Sequence, residues 1–240
     1  MSDQTFSLWV YLSGTPLLWL SVTLAAYVVT DRVSAATNRH PLAHPVLHAI
    51  WIIALVLHLT RTPYKTYFAG AQFVHFLLGP ATVALAVPLY EHRKIVLRSV
   101  LPMAAALLAG SVTALGSALG LGTLFGLPRP VLASLAPKSV TAGVAMGISE
   151  AIGGDPALTA VLVILTGIVG AIAVTPFFNA LGLRDWRARG FAAGLASHGI
   201  GTARAFQVNP VAGTFAGIAM GLNALLTAIL VPLALSFLPR

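Results

Sequence analysis

Long apolar runs separated by short polar links dominate the chain. They lie near residues 8–30, 44–60, 66–89, 99–121, 128–152, 157–181, 188–208 and 211–238, most of them close to the roughly 20 residues that a membrane-crossing helix needs. The pattern predicts an all-α, polytopic membrane protein. Two runs are interrupted where a continuous helix would be expected, at His75-Phe-Leu-Leu-Gly-Pro-Ala-Thr-Val-Ala84 and at His198-Gly-Ile-Gly-Thr-Ala-Arg-Ala205. A helix broken inside a bilayer exposes backbone polar groups, which is tolerable only where they are buried in protein or line a cavity. Matching breaks in two halves of a chain therefore point to a transport site.

Composition agrees with the membrane reading. Of the residues, 58% are hydrophobic and 8% charged, against about 25% charged in an average soluble domain. Met1-Ser-Asp-Gln carries no basic segment and no small-residue cleavage site follows, so the first run is expected to be a retained helix and not a cleaved signal. The absence of cysteine excludes disulfides, thiolate metal sites and cysteine nucleophiles. No phosphate-cradling loop, His-Glu-x-x-His or Gly-x-Ser-x-Gly string is present, and Ser197 and His198 are adjacent, so no enzyme, metal or cofactor is expected. The net charge of +8 comes from basic residues scattered over the links, not from a stripe interleaved with aromatics. That distribution argues for orientation signals and against nucleic acid.

Basic residues concentrate at Arg32/Arg39, Arg93/Lys94/Arg98 and Arg184/Arg187/Arg189, whereas the 150–155 link carries Glu150 and Asp155 and no cation. By the positive-inside rule the three basic segments are cytoplasmic and 150–155 external, with Arg61 and Lys65 weighing mildly the other way. Three single crossings at 44–60, 66–89 and 99–121 then leave 121–130 outside, so 128–152 must dip in and return. Ala136-Pro137-Lys138 splits that run into two short pieces, as such a dip requires.

The halves also resemble each other. Phe68-Ala-Gly-Ala-Gln-Phe-Val-His75 matches Phe191-Ala-Ala-Gly-Leu-Ala-Ser-His198, and Gly79-Pro-Ala-Thr matches Gly201-Thr-Ala-Arg, at an offset of about half the chain. An inverted repeat is expected, with 1–121 and 128–240 as its two membrane halves.

Counting helical rise from the surface residues places both breaks of the second half near the middle of the bilayer. Pro137-Lys138-Ser139-Val-Thr141 reads as a helix start that directs free N–H groups and the positive dipole end inward. At the other break Gly199 and Gly201 loosen the backbone while Ser197, Thr202 and Arg204 supply hydroxyls and a guanidinium. All six acidic residues sit near the ends of runs, while Lys138, His198 and Arg204 lie deep, so an anion is the expected ligand. A small carboxylate fits a guanidinium fork, a lysine point charge and hydroxyls for a hydroxy or keto oxygen. The expected contacts are Lys138, Ser139, Thr141, Ser197, His198, Thr202 and Arg204, with Gly79, Thr82, Gly201 and Asn223 as secondary candidates. For Asn223 the competing reading is a hydrogen bond between helices. His75 is expected to be structural and Glu150 an interfacial cap.

Pro137-Lys138-Ser-Val-Thr141, Gly147-Ile-Ser-Glu150-Ala-Ile-Gly-Gly154, Leu165-Thr-Gly-Ile168 and Ala196-Ser-His198-Gly-Ile-Gly-Thr-Ala-Arg204 closely resemble the LrgB/CidB family, as do Tyr67-Phe-Ala-Gly70 and the 78–90 string. The likeness runs from about residue 15 to the end. It departs at Gly143 and Gly147, where many relatives carry Pro and Glu, which puts a coupling role for that Glu in doubt here. The resemblance implies the fold of the bile-acid symporter and cation–proton antiporter superfamily: an inverted-repeat bundle with crossed discontinuous helices, one bundle moving elevator-like against a scaffold. It also implies two functions. One is a secondary transporter of small monocarboxylates of the glycolate, glycerate, lactate or pyruvate type. The other is an antiholin-like regulator of murein hydrolase activity and autolysis, acting with a small holin-like partner of the LrgA/CidA type. A bacterial inner membrane and a homo-oligomer are expected in either case.

Overall fold

The computed structural model describes residues 15–77, 80 and 83–237. Gly79 and Thr82, and with them the centre of the first interruption, lie outside the described residues. Among those described the chain is helical throughout: α1 (Pro16–Ala36), α2 (Pro45–Thr60), α3 (Tyr64–Phe76), α4 (Ala86–Glu91), α5 (Arg93–Arg98), α6 (Val100–Leu124), α7 (Arg129–Leu135), α8 (Ala142–Ala151), α9 (Pro156–Ala180), α10 (Trp186–Val208) and α11 (Pro210–Ser236), with a 3-10 turn at Pro41–Ala43. Proline opens α1, α2, α9 and α11, a position where its missing N–H leaves no bond unmade. Left-handed Gly126, Gly153 and Gly182 stop α6, α8 and α9. In each case the following N–H reaches back to close the last turn, as in Leu183 N to Phe178 O at 3.1 Å.

The residues group into two compact units, Met1–Ala86 and Val87–Arg240. In the first, α1 packs against α2 and α3. Trp19 is fully buried and meets Tyr67 edge-on, with ring centres 6.0 Å apart. Gly70 makes this approach possible, because a Cβ there would strike Pro16 O and, at 2.8 Å, the Trp19 Cβ.

The second unit is built on α6, α9 and α11, which with α1 are the described helices long and apolar enough to cross a membrane. Their exposed faces are greasy: Val161, Leu165 and Val169 on α9, and Leu225, Ile229 and Leu233 on α11, recur every four residues and all point outward. Such stripes on a folded surface require lipid around them. The chain is a multi-pass membrane protein.

Two helical hairpins fill the space between these spans. The first is α7 and α8, and its arms descend along α11. Arg129 donates to Leu235 O (3.2 Å), Ala136 packs with Val231 and Leu235, and Ser139 O accepts from Asn223. The expected dip of 128–152 is this hairpin. The second forms where a crossing at 188–208 was expected. At His198 the backbone takes φ 42 and ψ −132, and α10 turns back on itself. A Cβ on Gly201 would meet Ala193 O at 2.5 Å, although eight residues of straight helix would separate them by about 12 Å. The first arm, 186–197, lies beside α11 in register: Gly190 sits on the backbone of Ala212 and Gly194 on that of Ala216.

Each hairpin leads into a span in the same way. Asp155 Oδ1 accepts from Ala157 N and Leu158 N at 2.8 and 3.3 Å, and Asn209 Oδ1 from Val211 N and Ala212 N at 2.9 and 3.3 Å. A proline follows each cap. Because α9 runs from the Ser134 end toward Arg189, and α11 from the Arg189 end toward Arg129, the two hairpin-plus-span units are inverted. Arg98, Arg184 and Arg187 gather at the end where the second hairpin enters.

Candidate functional site

The hairpin tips meet at Asn223, thirteen residues from either end of α11 and so halfway along it. Its Nδ2 donates to Leu195 O at 3.0 Å and to Ser139 O at 3.3 Å. Its Oδ1 accepts from Ser111 Oγ at 2.7 Å and from Thr227 Oγ1 at 3.3 Å. Two carbonyls on one side and two hydroxyls on the other fix which way the amide points, and all four of its hydrogen-bonding positions are filled by protein. Leu195 O would ordinarily belong to the next turn of a continuous helix. The reversal at His198 removes that donor, and Asn223 replaces it. Asn223, 1% exposed, therefore bonds between helices and has no valence left for a ligand.

The tips touch a second time at Val163. His198 Nε2 donates to Val163 O at 2.9 Å, while the Val163 side chain packs on Val140 and Ala145 at the start of α8. A carbonyl only accepts, so Nε2 carries a proton, and in the neutral ring Nδ1 is then an acceptor. Thr202 Oγ1 covers His198 O at 2.8 Å. Two helix N-termini thus converge at one level: that of α8, whose cap residue Thr141 makes no side-chain cap bond, and that of the second arm of α10. The positive dipole ends of both lie at this level.

Of the residues expected from sequence, Ser139 is bonded to Asn223 and Thr202 to His198, while Thr141 and half-buried Lys138 adjoin Ser139 in the chain. Ser197 faces α9 at Gly170, and Gly201 serves the hairpin's close approach. Arg204 is elsewhere. The reversal carries it back from the tip, and it lines a small cavity with Arg189 and Trp186 near the basic end. The break expected within His198–Ala205 falls at His198, which takes the strained angles, while Gly199 and Gly201, expected to loosen the backbone, are helical. Ser111 was not anticipated. The signal that finds it is a polar residue halfway along an apolar span, facing a second such residue, Asn223.

A family model described as LrgB-like family matches residues 23–237. The chain belongs to the LrgB-like family. It is 33% identical over 219 residues to the uncharacterized protein YxaC of Bacillus subtilis, a match covering 90% of this chain and 94% of that protein. It is 30% identical over 216 residues to the holin-like protein CidB of Staphylococcus epidermidis, again covering 90% and 94%. An uncharacterized protein of Haemophilus influenzae is 34% identical over 183 residues, which is 76% of this chain and 79% of that one. No solved structure matches.

In this LrgB-like chain the strain at His198 is testable. A non-glycine residue at these angles costs on the order of 1–3 kcal/mol, and the imidazole offsets it through the bond to Val163. His198→Ala keeps the strain and loses the bond, whereas His198→Gly loses both. Thermal unfolding in detergent should therefore find His198→Ala the less stable of the two by about 1 kcal/mol or more. Equal stabilities would mean that the reversal stores no strain.

Proposed function

We propose that this chain is a secondary carrier of small monocarboxylates that binds them where the two hairpin tips meet. The observation that supports this most is the convergence of two half-helix N-termini at the level of Asn223 and Val163. Paired N-termini at the centre of a bundle suit an anion, and opposed hairpins suit a site opened to each side in turn. Lys138 supplies the positive charge, Ser139 and Thr141 hydroxyls, and His198 Nδ1 an acceptor for a substrate hydroxyl. An elevator-like movement of the hairpin-bearing unit is part of this reading.

The second reading is a holin-like membrane protein that acts with a small membrane partner, without a substrate. It is supported by the name of the Staphylococcus relatives, and by name alone it is the better supported of the two. Purified chain in proteoliposomes separates them. The carrier takes up labelled glycolate, lactate or pyruvate unaided, and Lys138→Ala loses at least nine-tenths of that uptake while still folding, since removing a half-buried cation also relieves its partial desolvation. No uptake of any small carboxylate by the natural chain would leave the holin-like reading standing alone.

A further inference from the structure

Arg98, Arg184 and Arg187 line one groove at the end of the second unit where α5, the link between α9 and α10, and the start of α11 come together. All three are exposed. Arg187 Nη2 stands 2.6 Å from the carboxylate of Asp185, which shares the groove, so that pair adds no net charge. Arg98 and Arg184 have no hydrogen-bond or ion-pair partner among the described residues, and the groove keeps the charge of two guanidiniums. Ile95, Val211 and Trp186 complete the wall. A tryptophan beside the ends of membrane spans sits at the level of the lipid headgroups, and a basic pocket at that level suits a phosphate.

From this mouth the groove continues between α6 and the first arm of α10. Arg187 borders both the mouth and a middle stretch, and Ala106 and Phe191 border both that stretch and the innermost one. In the innermost stretch α6 contributes Ala106, Ala109 and Gly110, and the arm contributes Ala188, Ala192 and Ala196, over a floor of buried Phe191 and Leu195. It carries no charge, and Thr113 is its one polar side chain. Elsewhere α6 turns Leu101, Leu108 and Val112 outward, so the recess is local. Its depth is informative: Arg187 to Ala196 is nine helical residues, about 13 Å of rise, near half of the roughly 30 Å hydrocarbon core. The arm turns back at His198, so this wall ends midway and a spanning partner helix would meet it over only half its length. We propose that the groove holds one anionic phospholipid, its phosphate against Arg98 and Arg184 and an acyl chain between α6 and the first arm of α10. A charged mouth and an apolar body one leaflet deep are the two parts of that molecule.

Lipid retention tests this directly. The purified chain in detergent, offered equal amounts of phosphatidylglycerol and phosphatidylcholine, should retain phosphatidylglycerol saturably and prefer it about tenfold or more, as two nearby arginines warrant. Arg98→Gln with Arg184→Gln should bring the preference close to parity, whereas Arg32→Gln with Lys65→Gln, which removes the same charge from exposed positions of the first unit, should leave it. Ala106→Leu with Ala109→Leu fills the apolar stretch from two exposed positions. It should lower retention of phosphatidylglycerol about tenfold or more without lowering the unfolding temperature, since about 0.8 kcal/mol per buried CH₂ is lost from the acyl chain alone. Raised salt should weaken the preference in the natural chain, a reading that holds even if the arginine variant does not fold. Equal retention of the two lipids, or a preference that neither salt nor the arginine variant changes, overturns the proposal. Loss of retained phosphatidylglycerol to excess glycerol phosphate would also overturn it, by showing a free phosphate site that needs no acyl chain. A natural chain that retains no lipid and is a dimer, split by Ala106→Leu with Ala109→Leu, would assign the groove to a second copy instead. Carboxylate uptake enters none of these readings, so the carrier reading stands or falls separately.

Discussion

Asn223→Leu should be the most damaging single substitution at the hairpin tips, lowering stability in detergent by about 2–4 kcal/mol. Leucine fills the volume but donates nothing, so Ser139 O and Leu195 O are left buried without a partner, each at about 1–3 kcal/mol. The hydroxyls of Ser111 and Thr227 escape that penalty, because each can turn to the carbonyl four residues back on its own helix. Hydrogen bonds between membrane helices average well under 1 kcal/mol, since the separated helices find other partners. The two carbonyls here have no such alternative: both lie at helix ends created by the tips themselves. Ser111→Ala should cost about 1 kcal/mol or less, as Thr227 still serves Oδ1. Asn223→Asp should fall between them, with one protonated oxygen able to satisfy one carbonyl. Cysteines introduced in place of Ser139 and Leu195, in a chain that otherwise lacks them, should cross-link readily in the natural background and poorly with Asn223→Leu. An unfolding temperature for Asn223→Leu within a degree or two of the natural chain would show that the amide does not join the tips.

The spans were legible in the sequence because each is a long apolar run between polar links: expected 99–121, 157–181 and 211–238 became Val100–Leu124, Pro156–Ala180 and Pro210–Ser236. The first hairpin was legible for a different reason. Pro137 divides the run, and three crossings counted from the basic 32–39 segment, taken with the acidic 150–155 link, require both of its ends on one side. The second hairpin was hidden. At 23 residues α10 has the length of a span, and its reversal rests on the angles of His198, a residue with no intrinsic preference for them. Glycine drew attention to positions 199 and 201, but the work of Gly201 is to admit Ala193 O, which only the folded arms reveal. The displacement of Arg204 from the tip follows from that one reversal. Asn223 could be picked out as polar in an apolar helix. Its role could not, since its partners on other elements stand 28, 84 and 112 positions away.

Gly194→Val should prevent stable folding, while Gly143→Ala in the first turn of α8 should be tolerated or slightly stabilising. Gly190 and Gly194 stand one turn apart on the first arm of α10, opposite Ala212 and Ala216 on α11. A Cβ at either glycine would come within 2.6 Å of the facing Cα and carbonyl carbon. Backbone cannot swing aside as the end of a side chain can, so the two helices would have to part along the whole contact. Even one added methyl in a tight contact costs about 1–3 kcal/mol, and valine adds two more atoms against the same wall. Small residues four apart are how membrane helices come this close, and parting them here would also pull Leu195 O from Asn223. Gly143 faces open space, with nothing within 4 Å of its absent Cβ, so alanine there gains helix propensity of about 0.5–1 kcal/mol at no steric cost. Gly190→Ala should lie between the two, folded but measurably less stable. The comparison is made by expression in membranes, monodispersity in detergent and thermal unfolding of the three variants. Val at position 194 behaving like Ala at 143 would mean that the first arm does not lie against α11, and the junction of the hairpin tips at Asn223 would then lose its support.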